Sequence, residues 1–392
     1  MLDTIKLMLY KREREKRMMI RSFLSVGQGA FYCEQFRMDS LSEKINVIYD
    51  CGSDNVEMVH EQIQNNFEKG EIIHAVFISH LDNDHINGLP YLLKYCKVKK
   101  IFFPLIERKN IYFISLFNLI KNGRNASFLL EFLENPHRAI ENLNLNYTPD
   151  FFQIGEGEEF NEIDAMTIPS GRDLSSLIME KLKNISYICK EWKYIPLNFC
   201  QENRVIELQT YLEKIFGKNM NDEDIYHIWK YGEEDERNKI KQAYKKIKGS
   251  FNTNSMTLYS GIEDFNIRQA IVDIGNFRCH LGDIFRLKNA GCLYTGDYDA
   301  SGKEKWKQLY EAYRTYWDTI GCVQLPHHGS RHNYNQELGC LDAYYIISAG
   351  MNNKYHHPHS LVIKDLLYNH HFPYIVTEQQ SSEVHLIIEQ FI

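Results

Sequence analysis

The sequence predicts a layered α/β fold, and three observations carry that reading. Short β-rich runs bounded by turn residues alternate with helical patterns along the 392 residues. The apolar run Ala75-Val76-Phe77-Ile78-Ser79 ends directly in a polar loop, as a buried strand does at a sheet edge. Beyond that loop, Leu89, Leu92, Leu93 and Cys96 repeat at i, i+3, i+4 and i+7, which predicts a helix packed on the sheet.

In chain order, residues 1–18 carry Lys6, Lys11, Arg12, Arg14, Lys16 and Arg17 with no apolar run or small-residue cleavage site behind them. They read as a basic tail rather than a secretory signal. Strands are expected at 21–31, 45–49, 75–79, 100–103 and 165–168. In the second half they are expected at 256–259, 268–274, 291–294, 322–325, 344–348, 374–376 and 384–388. Two stretches look inserted, about 105–146 and about 171–249. The second shows a helical set (Ile240, Ala243, Tyr244, Ile247) and the charged run Glu233 to Arg237, which predicts a solvated face. Residues 19–392 therefore read as one domain with two insertions at its rim, where insertions shape access to a site.

Composition narrows the class. A content of 44% hydrophobic and 25% charged residues supports an ample core. No stretch approaches the roughly 18 uninterrupted apolar residues of a membrane span, so no membrane partner is expected. The net charge of -7 argues against a surface-wide basic field, which confines any nucleic acid to a local groove. Nine scattered cysteines without a Cys-x-x-Cys pair read as reduced thiols of a cytoplasmic protein.

The chemistry concentrates in His80-Leu81-Asp82-Asn83-Asp84-His85, two imidazoles and two carboxylates in six residues at a strand end. Such groups would repel or desolvate one another if they converged without a cation, so the cluster predicts a divalent metal. Further islands follow the same chemistry: Tyr294-Thr295-Gly296-Asp297, Leu325-Pro326-His327-His328-Gly329-Ser330 and His356-His357-Pro358-His359. Upstream stand Val26-Gly27-Gln28-Gly29 and Val47-Ile48-Tyr49-Asp50-Cys51-Gly52. No third glycine and helix follow Gly27 and Gly29, which sets aside a dinucleotide loop. Asp50 either caps a turn or orients the metal loop.

In this order the islands resemble the metallo-β-lactamase-fold hydrolases, and among them the soluble hydrolase domain of the ComEC competence proteins. The resemblance covers about residue 19 to the end, except the insertions. It implies the αββα sandwich with helical insertions, with the site at one sheet edge, and two divalent ions: Zn²⁺ or Mn²⁺, with Mg²⁺ also compatible with a carboxylate-rich set. It would place His80 and Asp82 on the first ion, Asp84 and His85 on the second, Asp297 across both and His328 on the second, with His327 the alternative in that pair. Most of these enzymes supply another histidine before the bridging aspartate. Here that region reads Asn252-Thr253-Asn254-Ser255, so Asn254, Asn252 or water fills the gap. Ser25 and Ala30 stand where the competence branch usually has aspartate.

Two cations roughly 3.5 to 4 Å apart hold a bridging hydroxide and neutralise charge on an attacked oxygen. With Asp84 and Asp297 central to that chemistry, the resemblance places His357 or His359 to give the leaving group its proton or to hold a phosphate oxygen. It implies a nuclease acting on DNA, with single-stranded DNA the expected partner. A small nucleotide diester, enclosed by the helical insertion, is the second reading. A metal-stabilised partner-binding or sensing module without catalysis is the third.

Overall fold

The computed structural model describes residues 19–37, 44–106, 111, 114–115, 118, 127–155, 167–179, 187–199, 203–217, 222–246, 255–272 and 287–390. The basic tail, Asn252 and Asn254 lie outside the described residues.

The first half supplies β1 (Met19–Phe23), β2 (Gly29–Arg37), β3 (Lys44–Ser53), β4 (Ile72–Ile73), β5 (Ala75–Phe77), β6 (Lys97–Val98), β7 (Lys100–Pro104), β8 (Asp150–Ile154) and β9 (Thr167–Ile168). The second half supplies β10 (Lys193–Leu197), β11 (Thr257–Gly261), β12 (Ile267–Val272), β13 (Lys288–Asn289), β14 (Gly291–Tyr294), β15 (Ile320–Gln324), β16 (Tyr344–Ser348), β17 (Pro373–Val376) and β18 (Val384–Gln390). A large sheet runs β13-β12-β18-β1-β2-β3-β5-β7-β8-β9, and a second runs β10-β11-β14-β15-β16-β17. β4 and β6 pair separately.

The two sheets face each other across one core, which includes Phe23, Tyr32, Tyr49, Trp192, Tyr194, Met256 and Tyr294. The outer face of the large sheet meets the helices Val56–Asn66, Leu89–Tyr95 and Ser127–Glu134 through Val59, Ile63, Leu92 and Phe132. The outer face of the second sheet meets Lys303–Tyr313 and Ser360–Tyr368 through Leu309, Tyr313, Val362 and Leu366. Helix, sheet, sheet and helix are thus stacked in that order, the αββα sandwich of the metallo-β-lactamase fold. The strand period of two explains the sorting within β3 and β5. Ile45, Val47, Tyr49, Ala75 and Phe77 point to the inter-sheet core, while Ile48, Cys51 and Val76 point to the helices.

Between the sheets lies a buried ion pair. Arg21 Nε donates to Glu34 Oε1 at 2.8 Å, with the two side chains 0% and 3% exposed. The guanidinium also donates to Gln269 Oε1, Ala290 O and Ser260 O, and Glu34 accepts from Tyr194, Tyr294 and Ser260. Every partner satisfies another, which is what makes a charge pair tolerable in a core.

Some expectations change. The run 21–31 is two strands separated by the loop 24–28, and the stretch 171–249 is not purely inserted because its β10 pairs with β11. Its described helical portion is Asn203–Phe216, Asp222–Tyr231 and Glu234–Lys246. Cys33, Cys51, Cys96, Cys189, Cys292 and Cys322 are buried, and Cys340 is exposed. Among the described residues no helix is long and apolar enough to cross a membrane.

Candidate metal centre

The strands β3, β5 and β7 of the large sheet are parallel, as are β14, β15, β16 and β17 of the second. The chemical islands sit just past the carboxyl ends of β5, β14, β15 and β16, so both sheets contribute to one site. Loops at that end of parallel strands are where α/β sheets collect their functional groups.

Asp50 owes its aim to a bulge. The register of β2 against β3 jumps from Phe31↔Cys51 to Tyr32↔Tyr49, leaving Asp50 as the extra residue with φ 57°. A bulge redirects one side chain without ending the ladder. Asp50 Oδ1 accepts the Ser79 amide at 2.7 Å, and its Oδ2 accepts Ser79 Oγ at 2.7 Å and His85 Nδ1 at 2.9 Å. Asp50 thus bonds both Ser79 and His85, at the two ends of the loop that follows β5.

Four imidazoles share one arrangement: each ties its Nδ1 to a neighbour and turns its Nε2 toward a carboxylate. His80 Nδ1 meets Ser79 Oγ at 2.9 Å, His85 Nδ1 meets Asp50, His327 Nδ1 meets Asn333 Oδ1 at 3.0 Å and His328 Nδ1 donates to Ser348 O at 2.8 Å. On the other side, His80 Nε2 and His327 Nε2 lie 3.7 and 3.6 Å from Asp297 Oδ2, and His85 Nε2 lies 3.6 Å from Asp297 Oδ1. His328 Nε2 lies 4.0 Å from Asp84 Oδ2. His80, His85 and Asp297 form one converging group, and Asp84, His85 and His328 a second, all buried. Nε2 of His80 and of His85 are buried and have no hydrogen-bond partner among the described residues. Buried nitrogens without partners, facing carboxylates at non-bonded distance, fit a divalent cation as the missing partner.

Charge follows the same geometry. Burial would raise the Asp297 carboxyl, but His327, His80, His85 and His328 hold it well below the usual range. Burial works against charge on His85 as well, yet Asp50 and Asp297 push it up to about 10. Burial pushes His80 down, helped by His85, and pushes His328 down to about 4.

The turns around the site are tight. Gly296 has φ 52°, and a Cβ there would lie 2.7 Å from Ser79 Cβ and 2.8 Å from Ser255 Oγ. Ser255 Oγ accepts the Asp297 amide at 3.0 Å. His327 and His328 are consecutive non-glycine residues at positive φ, 49° and 57°, strain of the kind that persists only where surroundings fix it.

One expected ligand and one expected proton donor are placed differently. Asp82 stands outside both converging groups, and its Oδ1 accepts the Asn83 amide at 2.9 Å because the helix Asn83–Ile86 needs an acceptor at its first turn. His359 caps the helix Ser360–Tyr368, its Nδ1 accepting the Leu361 amide at 3.1 Å. His357, by contrast, stands beside the cluster, its ring 5.7 Å from that of His327, and its Nδ1 is buried without a partner among the described residues. Burial pushes its pKa down to about 4, with His327 and His328 adding to the effect. Ser25, at one of the altered positions, donates its hydroxyl to Glu383 Oε1 at 2.7 Å. Asn333 went unnoticed in sequence, although its side chain holds His327 and donates to Asp297 O at 3.0 Å. Its only sequence signal was proximity to His327.

Residues 39–155 match the family model of the metallo-beta-lactamase superfamily. Similar solved structures include unliganded yeast PDE1, at 10% identity and TM-score 0.40 over 95% of this chain and 99% of that one. Another is metallo-beta-lactamase SMB-1 bound to 2-mercaptoethanesulfonate, at 9% identity and TM-score 0.28 over 79% of each chain. No curated protein matches. The similarity to the metallo-beta-lactamase superfamily thus rests on residues 39–155, less than half of the chain.

Proposed function

We propose that this protein is a divalent-metal-dependent hydrolase of phosphodiester bonds, with a ComEC-like nuclease activity on single-stranded DNA as the leading specificity. The single observation that carries the hydrolase reading is the inward aim of four Nε2 atoms on Asp297 and Asp84, with every Nδ1 tied outside. His80, His85, His328, Asp84 and Asp297 would hold the cations. Divalent ions at such a site supply Lewis acidity toward a phosphoryl oxygen and a water that ionises near neutral pH.

The protein's own groups do the rest. Asp50 and Ser79 hold the His80–His85 loop against β3, and Asn333 locks the Asp297 turn. His357, neutral near pH 7 and at the edge of the cluster, is the residue placed to steady a phosphate oxygen through a ring N–H. DNA specificity is supported by the succession of V-G-Q-G, H-L-D-N-D-H, T-G-D, P-H-H-G-S and H-P-H. The net charge of -7 favours the second reading, a small nucleotide diester.

The test is hydrolysis of a bis-aryl phosphodiester, circular single-stranded DNA, linear duplex DNA, RNA and cyclic dinucleotides with Mn²⁺, Zn²⁺ or Mg²⁺, wild type beside His80→Ala. Cleavage of circular single-stranded DNA that disappears in the variant supports the nuclease. Turnover of cyclic dinucleotides alone moves the assignment to the small-diester enzyme. Inactivity with all three metals overturns the hydrolase in favour of the non-catalytic module.

A further inference from the structure

We infer that the surface cleft walled by Trp306, Tyr310 and Trp317, with Glu337 in its lining, is a binding site for a small quaternary ammonium ion of the choline type. The cleft holds about 310 Å³, the lower end of the range for small-molecule sites, and Cys340 and Leu341 complete its lining. Trp306 and Tyr310 stand one turn apart on the helix Lys303–Tyr313, Trp317 on the short turn Arg314–Thr319 and Glu337 on the short turn Gln336–Cys340. Those two turns precede the amino ends of β15 and β16, whereas the metal loops follow the carboxyl ends of the parallel strands. A cation bound here is therefore independent of the hydrolase reading.

The rings form a corner. Trp306 and Tyr310 are inclined by 29° with centroids 6.3 Å apart, and Trp317 meets them at 78° and 74°, its centroid 5.5 and 5.1 Å from theirs. Trp306, Trp317 and Leu341 are half-buried against the core beneath the helix layer, which holds the corner in place. Aromatic faces attract a cation through the ring quadrupole. Elsewhere the chain's own cations use such faces, Lys193 lying 5.4 Å over Tyr316 and Lys241 lying 5.5 Å over Trp229. Among the described residues no lysine or arginine lies over Trp306, Tyr310 or Trp317, and none lines the cleft.

Charge selects the occupant. The Glu337 carboxylate has no cationic partner among the described residues, while Glu311 and Asp342 face Arg314 and Lys288. Burial, then the carboxylates of Glu337 and Asp365, raise the Cys340 thiol, so the field at this lining is negative. A primary ammonium is compact and strongly hydrated, with three N–H groups to satisfy, and a lining made mostly of rings gives it few acceptors. A quaternary ammonium spreads its charge over methyl groups and has no N–H. Aromatic walls beside one carboxylate meet its needs in full.

The test is tryptophan fluorescence of the full chain titrated with choline chloride, at an ionic strength held constant with sodium chloride. A parallel titration uses the uncharged carbon isostere, in which a tert-butyl group replaces trimethylammonium. Choline should give a saturable change, and the isostere should bind about 10-fold more weakly or not at all. Tyr310→Leu removes part of one wall and keeps both reporting tryptophans, and Glu337→Gln removes the charge at an exposed position that the fold does not need. Each should weaken choline about 3–10-fold. Should Tyr310→Leu fail to fold by circular dichroism, Glu337→Gln carries the test alone. A signal that never saturates, equal affinity for choline and its isostere, or unchanged affinity in Glu337→Gln overturns the site and leaves the hydrolase reading intact.

Discussion

Asp50 and His85 are joined at 2.9 Å from Oδ2 to Nδ1, and the contact exists because Asp50 is the bulged residue of β3. In the neutral ring, the state that a cation requires, the carboxylate fixes the tautomer whose Nε2 lone pair faces Asp297. Asp50→Asn keeps the shape and removes the charge. It is expected to weaken metal binding about 10–100-fold and to lower turnover with little loss of fold, read by calorimetric titration beside a thermal melt. Unchanged affinity would show that His85 needs no orienting partner.

The Arg21–Glu34 pair makes a stability prediction independent of metal. Glu34 accepts from Arg21, Tyr194, Tyr294 and Ser260, so Glu34→Ala leaves a fully buried guanidinium short of its counter-ion. A loss of about 3–5 kcal/mol in urea denaturation is expected. A loss under about 1 kcal/mol would mean that water reaches the inter-sheet core.

Acid should unfold the metal-free protein early. His74, His328 and His357 are each pushed down to about 4, burial being the main cause, and His74 Nδ1 accepts the Asn46 amide, which requires it unprotonated. Their folded pKa values lie below the unfolded value near 6.5, so the unfolded chain binds more protons as pH falls from about 6.5 to 4. Stability therefore declines across that window, with up to three protons taken up on unfolding. Melting temperatures measured from pH 7 to 4 test this, and a flat profile would contradict it.

Gly29 offers a backbone test. Its φ is 147°, and an added Cβ would lie 2.4 Å from Gly52 O and 2.8 Å from Asp84 O. Gly29→Ala is expected to cost about 1–3 kcal/mol and to weaken metal binding by displacing the Asp84 loop. Both are measurable on one purified variant, by melting and by titration.

The part of the site legible in sequence is the part that is locally dense. The His80–His85 run and the His327-His328 pair announce themselves because few other tasks crowd such groups together. The layered α/β class was legible from apolar runs such as Ala75 to Ile78, whereas the sandwich followed only from the resemblance that the islands carry. What sequence hid depends on distant partners. Nothing local marks Arg21 as buried, because its acceptors come from residues 34, 260, 269 and 290. β10 escaped notice because Pro196 interrupts its pattern, which an edge strand of the second sheet tolerates. His357 and His359 were interchangeable in one motif until the helix beginning at Ser360 took His359 for its cap.

Because His80, Asp84 and His85 come from one sheet while Asp297, His327 and His328 come from the other, a bound ion acts as a clasp between them. Each converging group draws on both halves of the polypeptide, so an ion held there would find its full ligand set only once the two sheets have docked. Once loaded, the layers resist separation by an amount that grows with the logarithm of free metal.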